Sequence, residues 1–133
     1  MSVEKIKFER LPFPPTNNHR LMPANGRVIM SPEHRLYKAS LALVLYRQGY
    51  KNADHLENKK LKVSIKYFGN SSHWLTKKKE VRKIDCDNRH KSLIDGIFSH
   101  LGCDDSYIFD LSISKVFDEE KNEIDCTVEV EAL

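Results

Sequence analysis

DCDNRHKSLIDGIFSHLGCDD, residues 85–105, carries a helical pattern between two pairs of aspartates. Leu93, Ile94, Ile97, Phe98 and Leu101 recur at helical spacing and form one apolar stripe. Asp87 is a natural N-cap and Gly102 a natural stop, so the pattern predicts a helix from Asp87 to Gly102. Strands flank it. Upstream, Leu61, Val63, Ile65 and Tyr67 alternate with Lys62, Ser64 and Lys66, the signature of a half-buried strand. Downstream, Phe109, Leu111 and Ile113 form a second strand. Ile124, Cys126, Val128 and Val130 form a third, alternating with Asp125, Thr127, Glu129 and Glu131, and Asp118–Asn122 is the turn between these two.

Further out, residues 5–13 read as extended and stop at Pro14-Pro15. Asn25-Gly26 between Leu21-Met22 and Val28-Ile29-Met30 predicts a hairpin. Ser31-Pro32-Glu33 opens a helix with a hydroxyl cap, a proline in the first turn and an acid beside it. That helix runs to Gly49. Its apolar residues cover much of the circumference from Leu41 to Tyr46, which predicts thorough burial. The polar stretch from Gly69 to Arg82 holds Trp74, expected in core or dimer packing rather than on a base. The element order gives an α+β fold: a small mixed β-sheet with two main helices on one face.

The 133 residues suit a single domain, residues 1–133. A composition of 40% hydrophobic and 31% charged residues is that of an ordinary globular chain. No apolar run approaches the ~18 residues of a membrane helix, and the first residues lack a signal-peptide core, so an intracellular protein is expected. Cys86, Cys103 and Cys126 are odd in number and form no CxxC pair. That excludes a disulfide framework and a zinc-ribbon reading. The net charge of +3 says little, but its distribution says more. Residues 77–83 carry five basic groups against Glu80, whereas residues 104–133 carry ten acids against Lys115 and Lys121. A basic patch can hold phosphates while nearby carboxylates hold a metal.

The chemistry centres on Asp85 and Asp87. On an extended segment residues two apart share a face, so both carboxylates can reach one cation. The helix N-terminus favours negative charge, and Lys91 lies one turn beyond Asp87 on the same face. Hard oxygen ligands suit Mg²⁺. A lysine beside them can stabilise charge on a phosphate under attack. Asp-x-Asp-Asn at a loop–helix junction is also ordinary capping chemistry, and Asp104-Asp105 after a glycine is ordinary turn chemistry. A 15-residue helix spans about 22 Å, so Asp105 reaches the first acids only by a long-range return of the chain.

Three segments in order resemble the RusA-type Holliday-junction resolvases of bacteria and phages. Leu11-Pro12-Phe13-Pro14-Pro15-Thr16-Asn17-Asn18 resembles the family's Pro-Pro-Ser/Thr-x-Asn loop. Asp85-Cys86-Asp87-Asn88-Arg89-His90-Lys91 resembles its Asp-x-Asp-Asn-x-x-Lys motif. Asp95 and Gly102–Asp105 resemble the helix that follows and its Asp-Asp end. The resemblance implies a homodimeric, cytoplasmic, bacterial or phage-encoded endodeoxyribonuclease. Such an enzyme resolves four-way DNA junctions with Mg²⁺, or Mn²⁺ in its place, in recombination and repair. It implies Asp85, Asp87 and Asp105 as metal ligands, with Asp104 the alternative to Asp105, and Lys91 as catalytic. The sequence departs from the family pattern at Ile84, where a basic residue is expected, and in a helix-to-Asp-Asp connection one residue shorter.

Candidate DNA contacts are Asn18, Arg20, Lys77, Lys78, Lys79, Arg82, Lys83 and Asn88, with Arg27 beside the hairpin. For each of them solvated surface or turn formation is the ordinary role. His90 has no second histidine at metal spacing and reads as helix surface. Two rival functions remain at the level of sequence. One is a non-catalytic module that binds branched DNA through residues 77–83. The other is a metal-dependent hydrolase unrelated to DNA.

Overall fold

The computed structural model describes residues 5–16, 21–24, 27–82 and 89–133. Strand β1 (Lys5–Pro12) is followed by a hairpin of β2 (Leu21–Ala24) and β3 (Arg27–Met30), then by helix α1 (Pro32–Gln48). Strand β4 (Leu61–Gly69) leads into a one-turn helix α2 (Ser71–Trp74). Helix α3 (His90–Leu101) connects to β5 (Ile108–Phe117) and β6 (Asp125–Ala132). The main sheet has the order β1-β6-β4-β5. β5 runs parallel to β4, while β6 is antiparallel to both β4 and β1. This is the expected α+β architecture with a mixed sheet.

Alternation decides which face is buried. Leu61, Val63, Ile65 and Tyr67 of β4, Cys126, Val128 and Val130 of β6, and Ile6 and Phe8 of β1 all enter one core. From above, α3 adds Leu93, Ile94, Ile97, Phe98 and Leu101, the stripe read from the sequence, and α1 adds Tyr37, Leu41 and Leu45. In β1 the pairing slips between Phe8 and Leu11, where Arg10 takes a positive φ of 54°. The Gln48 amide, at the end of α1, satisfies the bulged backbone. It accepts from the Glu9 N–H at 2.8 Å and donates to the Glu9 carbonyl at 2.6 Å.

Three expectations need correction. Helix α1 is not buried over most of its circumference, since Leu36, Leu43 and Tyr46 are exposed. The stripe His34, Tyr37, Leu41, Leu45 packs inward, with Val44 partly buried at its edge, because the main partners of α1 are α3 and β1. The polar stretch after Gly69 holds a short helix that the expected elements did not include. Asn70 caps α2 by accepting from the Ser72 and His73 N–H groups, and the His73 ring returns the bond to the Asn70 N–H. Trp74 at its end is buried in the core, as expected, and donates to the Val116 carbonyl at 3.0 Å. The third correction concerns the start of α3.

Candidate active site

Helix α3 begins at His90, three residues later than predicted, and Asp87, the predicted cap, lies outside the described residues. Arg89 holds the cap position with φ −123° and ψ −23°, outside the helical region, and its side chain makes no cap bond. Lys91 stands exposed in the first turn. Asp85, Asp87, Asn88 and Lys83 lie outside the described residues, as do Asn18 and Arg20.

At the other end Gly102 takes the left-handed conformation, φ 73° and ψ 28°. Its N–H and that of Cys103 both donate to the Phe98 carbonyl, closing the helix. Asp104 then caps a short 3-10 turn, Asp105–Tyr107, by accepting from the Ser106 N–H at 2.8 Å. That bond, with the Ser106 hydroxyl, holds the Asp104 carboxyl below the ordinary carboxylate range. Asp104 and Asp105 are both exposed, Asp104 accepting within the turn and also bonding the Asp105 side chain.

Lys91 and Asp105 belong to opposite ends of α3. The ten residues from Lys91 to Leu101 rise about 15 Å. The sheet gives the same answer. Arg89 meets Phe13, whose ring packs on Tyr67, whereas Asp105 precedes Ile108, which pairs with Leu61. Leu61 and Tyr67 are six residues apart on β4, about 20 Å. One chain does not bring Lys91 and Asp105 together. Among the described residues no group of three or more His, Cys, Asp or Glu is placed to hold a metal.

The basic run has a definite shape. Leu75 and Val81 form an antiparallel bridge, and Thr76 and Glu80 bond through their backbones below it. Lys79 turns the chain with a φ of 65°. Lys77, Lys78 and Lys79 stand exposed at the tip, and Arg82, also exposed, is tied through Nε to the Leu75 carbonyl. Beside α3's first turns, a polar cleft of about 220 Å³ opens between α1 and α3, lined by His34, Lys38, Ser92, Asp95 and Ser99. His34 is buried there, its Nδ1 3.0 Å from the Ser31 hydroxyl. The helical periodicity that places Asp95 one turn after Lys91 signals this cleft only once α1's partner face is known.

A family model described as Endodeoxyribonuclease RusA matches residues 12–130. The chain belongs to the RusA endodeoxyribonuclease family. The match takes in the three segments of the sequence resemblance from Pro12 onward and both ends of α3. No curated protein matches the chain. RusA membership brings with it the general activity of a Holliday-junction-resolving endonuclease, one that binds branched DNA and uses divalent metal. The donor chemistry fits such an ion, since Asp105 offers an exposed carboxylate whose hard oxygens suit Mg²⁺. Of the described residues none forms a helix long and apolar enough to cross a membrane.

Proposed function

We propose that this protein is a Mg²⁺-dependent, structure-selective endodeoxyribonuclease. It resolves four-way DNA junctions by paired phosphodiester hydrolysis, in recombination and repair, as a homodimer of one-domain chains. The observation that carries this reading is the Asp-x-Asp-Asn-x-x-Lys run entering α3, with Lys91 exposed in the first turn, in a RusA-family chain. Asp85, Asp87 and Asp105 are the ligands; the Ser106 cap made by Asp104 supports Asp105 over its neighbour. When bound, Mg²⁺ (or Mn²⁺) draws charge from the phosphoryl oxygens and acidifies water. The Lys91 ammonium stabilises the charge that develops on the phosphate and leaving oxygen. The Lys77–Lys79 tip and Arg82 hold flanking phosphates, with Asn18, Arg20, Lys83 and Asn88 as further contacts.

The separation of Lys91 from Asp105 supports a shared site. Each site takes Asp85, Asp87 and Lys91 from one copy and Asp105 from the other. A two-fold dimer then carries two equivalent sites, which matches a junction that needs two matched nicks.

Purified protein is expected to nick a synthetic four-way junction with Mg²⁺ or Mn²⁺ and not in chelator. Asp87→Asn is expected to bind the junction and leave it intact. Wild-type cleavage by Asp87→Asn would overturn the site. The preformed lysine tip also suits a non-catalytic binding module. Salt-sensitive junction binding with no product in any divalent metal would favour that second reading.

A further inference from the structure

Arg89 occupies a position that helix physics disfavours. A cation at a helix N-terminus opposes the dipole, and arginine there leaves the first amides without a side-chain cap. Its guanidinium is instead spent on the far side of the sequence. Nη1 donates to the Pro14 carbonyl at 2.9 Å, 75 residues away, and the guanidinium carbon lies 4.7 Å from the centre of the Phe13 ring. Phe13 stands edge-on to Tyr67, 5.2 Å away at 87°, and Tyr67 is fully buried in β4. The neighbouring Pro12 carbonyl accepts from the Tyr37 hydroxyl of α1 at 3.0 Å. Residues 12–14 are therefore fixed from α1, from the sheet and from Arg89 at once.

We infer that Arg89 is a positioning residue that locks the Pro12–Pro15 segment onto the start of α3 and so sets the placement of Lys91. This rests on the proposed nuclease site. Arg89 sits between Asn88 and Lys91 in the chain, so whatever fixes its backbone fixes the entry to Lys91. The segment it grips leads directly to Asn17 and Asn18. A planar fork is required, because one group must lie over a ring and donate in its own plane to a carbonyl. Lysine can do either but not both.

The test compares Arg89→Ala, Arg89→Lys and Phe13→Leu with wild type. The readouts are junction affinity, kcat as a function of Mg²⁺ concentration, and amide hydrogen exchange. Arg89→Ala is expected to lower kcat about 10²-fold, the scale on which a displacement of about 1 Å acts. It should also raise the Mg²⁺ needed for half-maximal rate and leave junction affinity near wild type. Arg89→Lys should recover only part of the loss, and Phe13→Leu should add little to Arg89→Ala. Faster exchange at Thr16 and at residues 90–92 should accompany the loss. Wild-type kcat and Mg²⁺ dependence in Arg89→Ala would overturn the inference, as would equal losses of kcat, affinity and global stability, which mark plain misfolding. If wild-type protein cuts no junction, the nuclease reading fails. The exchange data then judge the clamp alone, and unchanged exchange in Arg89→Ala refutes it.

Discussion

Asp104 and Asp105 are adjacent and identical in chemistry, and the proposed site uses only the second. The Asp104 carboxylate accepts the Ser106 N–H and closes the turn after α3, and both residues are exposed. Asp105→Asn is therefore expected to bring junction cleavage down to background with binding retained, and Asp104→Asn to keep cleavage near wild type. Paired kinetic and gel-shift measurements separate the two. The reverse pattern would exchange the assignments. Lys91 is exposed, so its removal should be felt in chemistry rather than folding. Lys91→Met is expected to lower kcat by ~10²–10³-fold, the usual consequence of removing one group that stabilises developing charge. Single-turnover cleavage at saturating enzyme measures this directly.

Among the elements, α3 was the most legible in the sequence, because a period-3.6 stripe and a glycine stop are local signals. All five of its predicted apolar residues are buried. Its start was misplaced because Asp87 is the better cap by type, while Arg89 takes the cap position through contacts with Phe13 and Pro14 that no local pattern announces. α1 misled for a related reason. Its apolar residues surround the helix, and only the tertiary partners decide that Tyr37, Leu41 and Leu45 turn inward while Leu36, Leu43 and Tyr46 do not. The two helices meet closely at Gly96, where an added methyl would overlap the Leu41 side chain, itself fully buried. Gly96→Ala gains ~1 kcal/mol of helix propensity but forces overpacking that costs about 1–3 kcal/mol. The fully buried Leu41 tip must shift out of its packing to make room, and on that account the second effect wins. A lower urea midpoint than wild type is the expected result.

At the scale of the whole molecule, basic groups able to meet phosphates stand on more than one element. The lysine tip rises from the loop after β4, and α3 holds Lys91 and Asp105 apart. Converting Lys77, Lys78 and Lys79 to glutamine should weaken junction binding. For every phosphate that is no longer neutralised, the dependence of log K on log salt should become shallower by about 0.9. An unchanged salt slope would return the tip to ordinary solvated surface. From the sequence, the chain is expected to bring Asp105 back to the first acids. The length of α3 is legible there, but the strand pairing of Leu61 with Ile108, which leaves Asp105 at the far end from Lys91, is a tertiary fact. The most direct test mixes two inactive proteins, Asp87→Asn and Asp105→Asn, and measures nicking of a four-way junction in Mg²⁺. A mixed dimer contains one intact site if Asp105 completes the site of its partner, so the mixture is expected to nick where neither protein alone does. A mixture as silent as its components, in a protein whose wild type cuts, would contradict the shared site.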